Sequence, residues 1–98
     1  MVMARGRAAT ASGSKYLQQL CKHWSHKFDV DFSPTRGEVR FASAVATLEA
    51  SADGLLVTIE ADDPDSVERF KETLARHLDR FAFREAPLPF DWSAGGPT

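Results

Sequence analysis

Ninety-eight residues with 43% hydrophobic and 27% charged side chains fit one soluble domain with one modest core. A lone cysteine, Cys21, excludes a disulfide framework and suits a reducing compartment. No apolar run approaches the roughly 20 residues that span a bilayer, and MVMARGRAATASGS lacks the apolar centre of a secretory signal, so a cytoplasmic location is expected. The net charge of −2 hides an uneven spread: residues 1–28 carry five bases and no acid, residues 29–66 nine acids and two bases, and residues 67–98 five of each. The chain therefore expects one basic and one acidic surface.

Arg5 to Thr10 is a weak, alanine-rich strand candidate. Ser12 or Ser14 offers an N-cap, and from Ser14 to Lys27 the sequence predicts a helix with Leu17, Leu20, Cys21, Trp24 and Phe28 along one apolar stripe. Lys22, His23, His26 and Lys27 gather at its C-terminal end, where the helix dipole favours cations. Phe28, Val30 and Phe32 alternate with Asp29 and Asp31, which predicts a strand with those apolar side chains inward. Ser33 to Gly37 reads as a turn, Glu38 to Phe41 as a second strand of this meander, and Ala44 to Ser51 as a third with Ala46, Leu48 and Ala50 facing one way. Asp53-Gly54 signals a tight hairpin into a fourth, Leu55 to Ala61. Asp63 as cap and Pro64 at the first helical position open a second helix, with Val67, Phe70, Leu74, Leu78 and Phe81 as its stripe. Leu88, Phe90 and Trp92 alternate, but Pro87 and Pro89 restrict residues 86–92 to an edge strand or docked tail. Ordered structure is expected over about residues 5–92 of a single domain, with the tail 93–98 disordered.

The order β-α-β-β-β-β-α, with one apolar face per strand and one stripe per helix, predicts an α+β two-layer sandwich. Its sheet should be mainly antiparallel, with both helices on one face. The order matches the TATA-binding-protein-like fold group, an analogy of topology that transfers no function. The motifs Tyr16-Leu17, Leu20-Cys21-Lys22-His23 and His26-Lys27, followed by His77-Leu78, Arg80-Phe81 and Phe83-Arg84-Glu85, carry a closer resemblance. On them the chain, from about Thr10 to Trp92, resembles the bacterial domain-of-unknown-function family 2218. The two prolines near its end depart from that family's pattern. The resemblance implies the fold and no reaction; it also implies a setting near iron uptake, beside flavin-dependent siderophore-interacting reductases.

Cys21-Lys22-His23-Trp24-Ser25-His26 imitates a metal motif, but helical geometry opposes it. At about 100° per residue, Cys21 lies about 160° from His23 and about 140° from His26 around the axis, and one tetrahedral ion cannot bridge opposite sides of a helix. Cys21 is read as a core residue. His26 should project outward beside Lys15, Gln19 and Lys22. His23 should sit on the flank with Tyr16 and Lys27, in reach of a second helix or an anion. His77 lies at the edge of the second helix's stripe. Arg69, Arg76 and Arg80 line a flank of that helix, with Arg84 beyond. Arg80 and Arg84 suit carboxylates or phosphates, although Glu72 can pair with Arg76.

Asp62, Asp63 and Asp65 are explained by capping. Phosphate loops, oriented triads and cofactor motifs are not legible, so no metal or cofactor is expected. On the open sheet face Asp29, Asp31, Glu38, Glu49 and Glu60 stand against Arg40, with the aromatics turned inward, which disfavours nucleic acid. That face could instead dock a basic partner or pair with its own copy through Val45 and Leu56. The expected function is a binding or accessory module for a protein partner or small anion, monomeric or homodimeric, with Lys22, His23, His26, His77, Arg80 and Arg84 as candidate ligand contacts. The alternative is a site for metal, haem or acid–base chemistry built from His23, His77 and the arginines, which requires the two imidazoles to converge within about 10 Å.

Overall fold

The computed structural model describes residues 2–82, 84 and 90–95. The elements in chain order are β1 (Val2–Ala9), α1 (Gly13–Trp24), β2 (Asp29–Phe32), β3 (Arg36–Arg40), β4 (Ala44–Ser51), β5 (Gly54–Ala61), α2 (Pro64–Phe81) and β6 (Asp91–Gly95). The strands form one antiparallel sheet in the order β2-β3-β4-β5-β1-β6. Both helices lie on one face: α1 over β3 and β4, α2 over β5 and β1. Between them and the sheet, Leu17, Leu20, Leu74 and Leu78 close on Val39, Ala46, Leu48, Leu55, Val57 and Ile59. The expected α+β sandwich is the observed one, with a sixth strand added. None of the helices among the described residues is long and apolar enough to cross a membrane.

Several local expectations need correction. β1 begins at Val2, not Arg5, and its inward residues Ala4, Gly6 and Ala8 are too small to signal a buried strand. Gly6 is small for a reason: a Cβ there would lie 2.6 Å from the ring of Trp92, which crosses it from β6. Trp92 in turn stacks with Phe90 (centroids 5.3 Å apart) and receives the Lys71 ammonium over its face. β6 is thus an edge strand pinned by an aromatic, and Ser93 to Gly95 pair with β1 rather than trailing as a disordered tail. Residues 86–89 and 96–98 of those expectations lie outside the described residues.

α1 stops at Trp24, short of Lys27. The N–H groups of Lys27 and Phe28 both donate to the Trp24 carbonyl, at 3.0 and 2.9 Å, so the chain tightens and turns into β2. His26 and Lys27 therefore sit in an exposed turn, not on the helix. Ser12 holds the N-cap position without a side-chain cap; its own N–H donates to Thr10 Oγ1 at 3.1 Å, and Ser14 Oγ donates to the Pro34 carbonyl.

α2 opens as expected. Asp63 accepts from the Ser66 N–H at 2.8 Å, a bond that holds its carboxyl below the usual range. The β4–β5 hairpin turns on Ala52 and Asp53, one residue before the expected pair, because Gly54 opposes Ser51 within the ladder. Gly54 leaves space for the guanidinium of Arg7, which would meet a Cβ there at 2.8 Å and pairs with Asp53 at 3.4 Å.

The open sheet face is more mixed than expected. The register brings Arg5, Arg7 and Arg36 onto it with Arg40, against Asp29, Asp31, Glu38, Glu49, Glu60 and Asp91. Placing β1 inside the sheet is a non-local choice that a strand-by-strand reading did not see. Acids still exceed bases there. Phe32 also departs from expectation. It is inward-facing but 43% exposed, because β2 is the edge strand and α1 does not reach across it.

Candidate functional site

His23 and His77 meet between the helices, with ring centroids 5.7 Å apart. His23 leaves α1 on the flank that faces α2, and His77 leaves α2 beside the buried Leu78. The sequence separates them by 54 positions; only the packing of α1 on α2 joins them. Trp24 backs the pair, its ring 5.2 Å from that of His77, and Phe81 stands 6.0 Å from His23 at an edge-on angle. The Nδ1 of His77 lies 2.7 Å from the Thr73 carbonyl. A carbonyl only accepts, so Nδ1–H donates, and Nε2 is the nitrogen left to a ligand. In the neutral ring that atom accepts; protonated, it donates.

The same inter-helix seam continues into a small cavity of about 180 Å³ lined by Lys15, Tyr16, Phe81 and Arg84. Tyr16 is buried, whereas Lys15 and Arg84 are exposed at the rim. An ammonium and a guanidinium rim this cavity over an aromatic floor, and Phe81 is the residue it shares with the histidine pair. The cavity's size suits a small carboxylate or phosphate better than a planar cofactor.

Six residues were candidates, and the fold divides them. His23 and His77 are adjacent, and Arg84 lines the neighbouring cavity through Phe81. Arg80 stands exposed in the last turn of α2. Lys22 turns to the other side of α1 and lines a different concavity with Phe32, one residue's rotation being enough to part it from His23. His26 lies in the exposed turn after the helix. Lys15, Tyr16 and Phe81 were not candidates. Tyr16 and His23 lie two turns apart on one flank of α1, as the helical spacing places them, but nothing in the sequence marks Tyr16 as lining a cavity.

Cys21 is sealed in the core, and burial pushes its thiol up from 9.0 to about 11. Among the described residues, no three His, Cys, Asp or Glu side chains are close enough to hold a metal ion. Below about pH 9 the thiol is neutral in both the folded and the unfolded chain. Between about pH 9 and 11 only the unfolded chain ionises, so stability should fall by roughly 2–3 kcal/mol as pH rises through that window. In native protein at pH 8, Cys21 should resist an aromatic disulfide reagent, and urea should release its reactivity. Rapid labelling of the native chain would contradict the buried placement.

The model of a family described as "Uncharacterized protein conserved in bacteria (DUF2218)" matches residues 5–93. The NMR structure of PA4090 from Pseudomonas aeruginosa superposes with a TM-score of 0.82 at 33% identity, covering 95% of this chain and 96% of that one. No curated protein matches.

Proposed function

The chain belongs to DUF2218, a family whose description assigns no activity, and from its geometry we propose a binding module that takes a small polyanion in the seam between α1 and α2. The carrying observation is the 5.7 Å approach of His23 and His77 beside a cavity rimmed by Lys15 and Arg84. A carboxylate or phosphate there gains charge-assisted hydrogen bonds from a guanidinium and an ammonium, and a further one from Nε2–H of His77 when the ring carries both protons, Nδ1–H still donating to Thr73. The aromatic floor of Tyr16 and Phe81 limits competing water. The acidic excess on the opposite sheet face keeps anions on the helix side.

Isothermal titration with citrate and with inorganic phosphate tests this reading. Citrate should bind, and His77→Gln or Arg84→Ala should each weaken it by about tenfold, the scale of one charge-assisted hydrogen bond. His26→Ala should leave binding unchanged. Ferric citrate is a further arm, for the iron-uptake setting that the family resemblance implies: it would bind more tightly than citrate if the ligand is an iron chelate. Equal citrate binding by wild type and Arg84→Ala would remove the seam as the site.

A further inference from the structure

On the far side of α1 from the histidines, the sheet ends at β2, and nothing among the described residues pairs with its outer edge. The Ser33 N–H donates to the Arg36 carbonyl at 2.8 Å, which marks Ser33 and Arg36 as a bonded pair. Stepping by two along the register, Asp31 and Glu38, then Asp29 and Arg40, are bonded pairs as well. The intervening residues, Val30 and Phe32, must then turn their N–H and C=O groups toward the open edge. The same two residues turn their side chains to the helix face.

There Phe32, 43% exposed, forms one wall of a concavity of about 700 Å³, whose other wall is the α1 flank carrying Ser14, Gln18, Gln19 and Lys22. The Oε1 of Gln19 is buried without a hydrogen-bond partner. On the opposite face of the edge, Asp29, Asp31 and Glu38 surround the guanidinium of Arg40, with contacts of 3.0 Å for Asp29 and for Asp31, and Arg36 lies at the β3 end of the same strip. Three carboxylates against two guanidiniums leave that strip negative, with Asp29 and Asp31 on the outermost strand.

We infer that β2 and the α1 groove accept an extended peptide segment as a seventh strand, one whose alternate residues are basic and apolar. Its backbone pairs with Val30 and Phe32. Its apolar side chains enter the groove against Phe32 and the stem of Lys22, and its basic side chains meet Asp29 and Asp31. This is strand addition beside a helix, in which backbone bonds supply affinity and alternate side chains supply selectivity. The charges also argue against a second copy as occupant. Two β2 edges paired about a two-fold axis would set their Asp29 and Asp31 rows side by side, and like charges across a strand pair are unfavourable.

The probe is an acetylated, amidated heptapeptide of alternating lysine and valine, added to the full chain. Amide hydrogen exchange should slow at Val30 and Phe32 by at least about tenfold, since exchange reports pairing of those N–H groups. N-methylation of the peptide's valines should abolish the effect, and N-methylation of its lysines should preserve it. The double variant Asp29→Lys/Asp31→Lys should exchange the preference, favouring a glutamate–valine peptide over the lysine–valine one. Binding that ignores the position of N-methylation, or that leaves the Val30 and Phe32 amides unchanged, would overturn the inference. Protection that rises with protein concentration without peptide would also overturn it, in favour of a second copy.

Discussion

Gly37→Ala should lower stability by about 1–3 kcal/mol, the cost of forcing one carbon into a filled core. For a domain of this size that is a fall in Tm of roughly 10 °C. Gly37 lies in β3 opposite Leu48 and directly beneath α1. A Cβ there would stand 2.5 Å from Cys21 Sγ and 3.4 Å from both Leu17 Cδ2 and Phe32 Cβ. Neither the sulfur, sealed on every side, nor the backbone of a central turn of α1 can yield cheaply. The effect should be specifically relieved by Cys21→Ala, which removes the atom the new methyl strikes. Alone, Cys21→Ala leaves a small void and costs about 1 kcal/mol. Combined with Gly37→Ala, it should recover at least about 1 kcal/mol relative to additivity, a coupling expected only for touching groups. Urea denaturation of the four proteins reads the cycle. Additive losses would mean that α1 stands further from β3 than the geometry requires.

Trp24→Ala should cost about 3–5 kcal/mol, a large part of the stability of any small domain. Trp24 is 4% exposed and joins three groups of rings. It stands edge-on to Phe28 and Phe41, with centroids 6.4 and 5.1 Å away, and touches His77 on its other side. Phe41 extends the cluster to Phe28 at 4.6 Å and to Phe70 of α2 at 4.8 Å. Trp24 thus links α1, the turn before β2, the β3–β4 turn and α2. Truncation opens a cavity that these elements, anchored elsewhere, cannot collapse to fill. Trp24→Phe retains part of the contact and should cost less than half as much. In a Trp92→Phe background, Trp24 emission follows unfolding directly. A loss below about 1 kcal/mol for Trp24→Ala would contradict the placement of this ring at the helix–sheet junction.

The clearest sequence signals were those with both period and punctuation. α2 had a cap, a proline and a stripe, and it runs from Pro64 to Phe81 as that grammar demands. β4 had uninterrupted alternation, and its bounds agree residue for residue. Cys21 fell on the apolar stripe of α1, and there it is buried. What was not legible depended on neighbours. β1 has small inward residues because Trp92 and the helices already fill the space above them, so its burial has no hydrophobic signature. Phe32 alternates correctly but lies on the edge strand, where α1 covers it only in part. The end of α1 carries no glycine or proline, and its backbone turns where the chain must enter β2. Of the site, the individual histidines and arginines were visible as residue types. Their grouping was not, because it is set by which flanks of two distant helices face each other. That separates His23 and His77 from Lys22 and His26, and adds Lys15, Tyr16 and Phe81.

The anion-binding seam is tested most directly by long-range proton–nitrogen correlation of the three imidazoles during a citrate titration. The ring resonances of His23 and His77 should shift together and saturate at one ligand concentration, with His77 retaining its proton on Nδ1 toward Thr73, while those of His26 stay still. Movement of His26 alone, or equal drift of all three rings without saturation, would contradict a site between the helices.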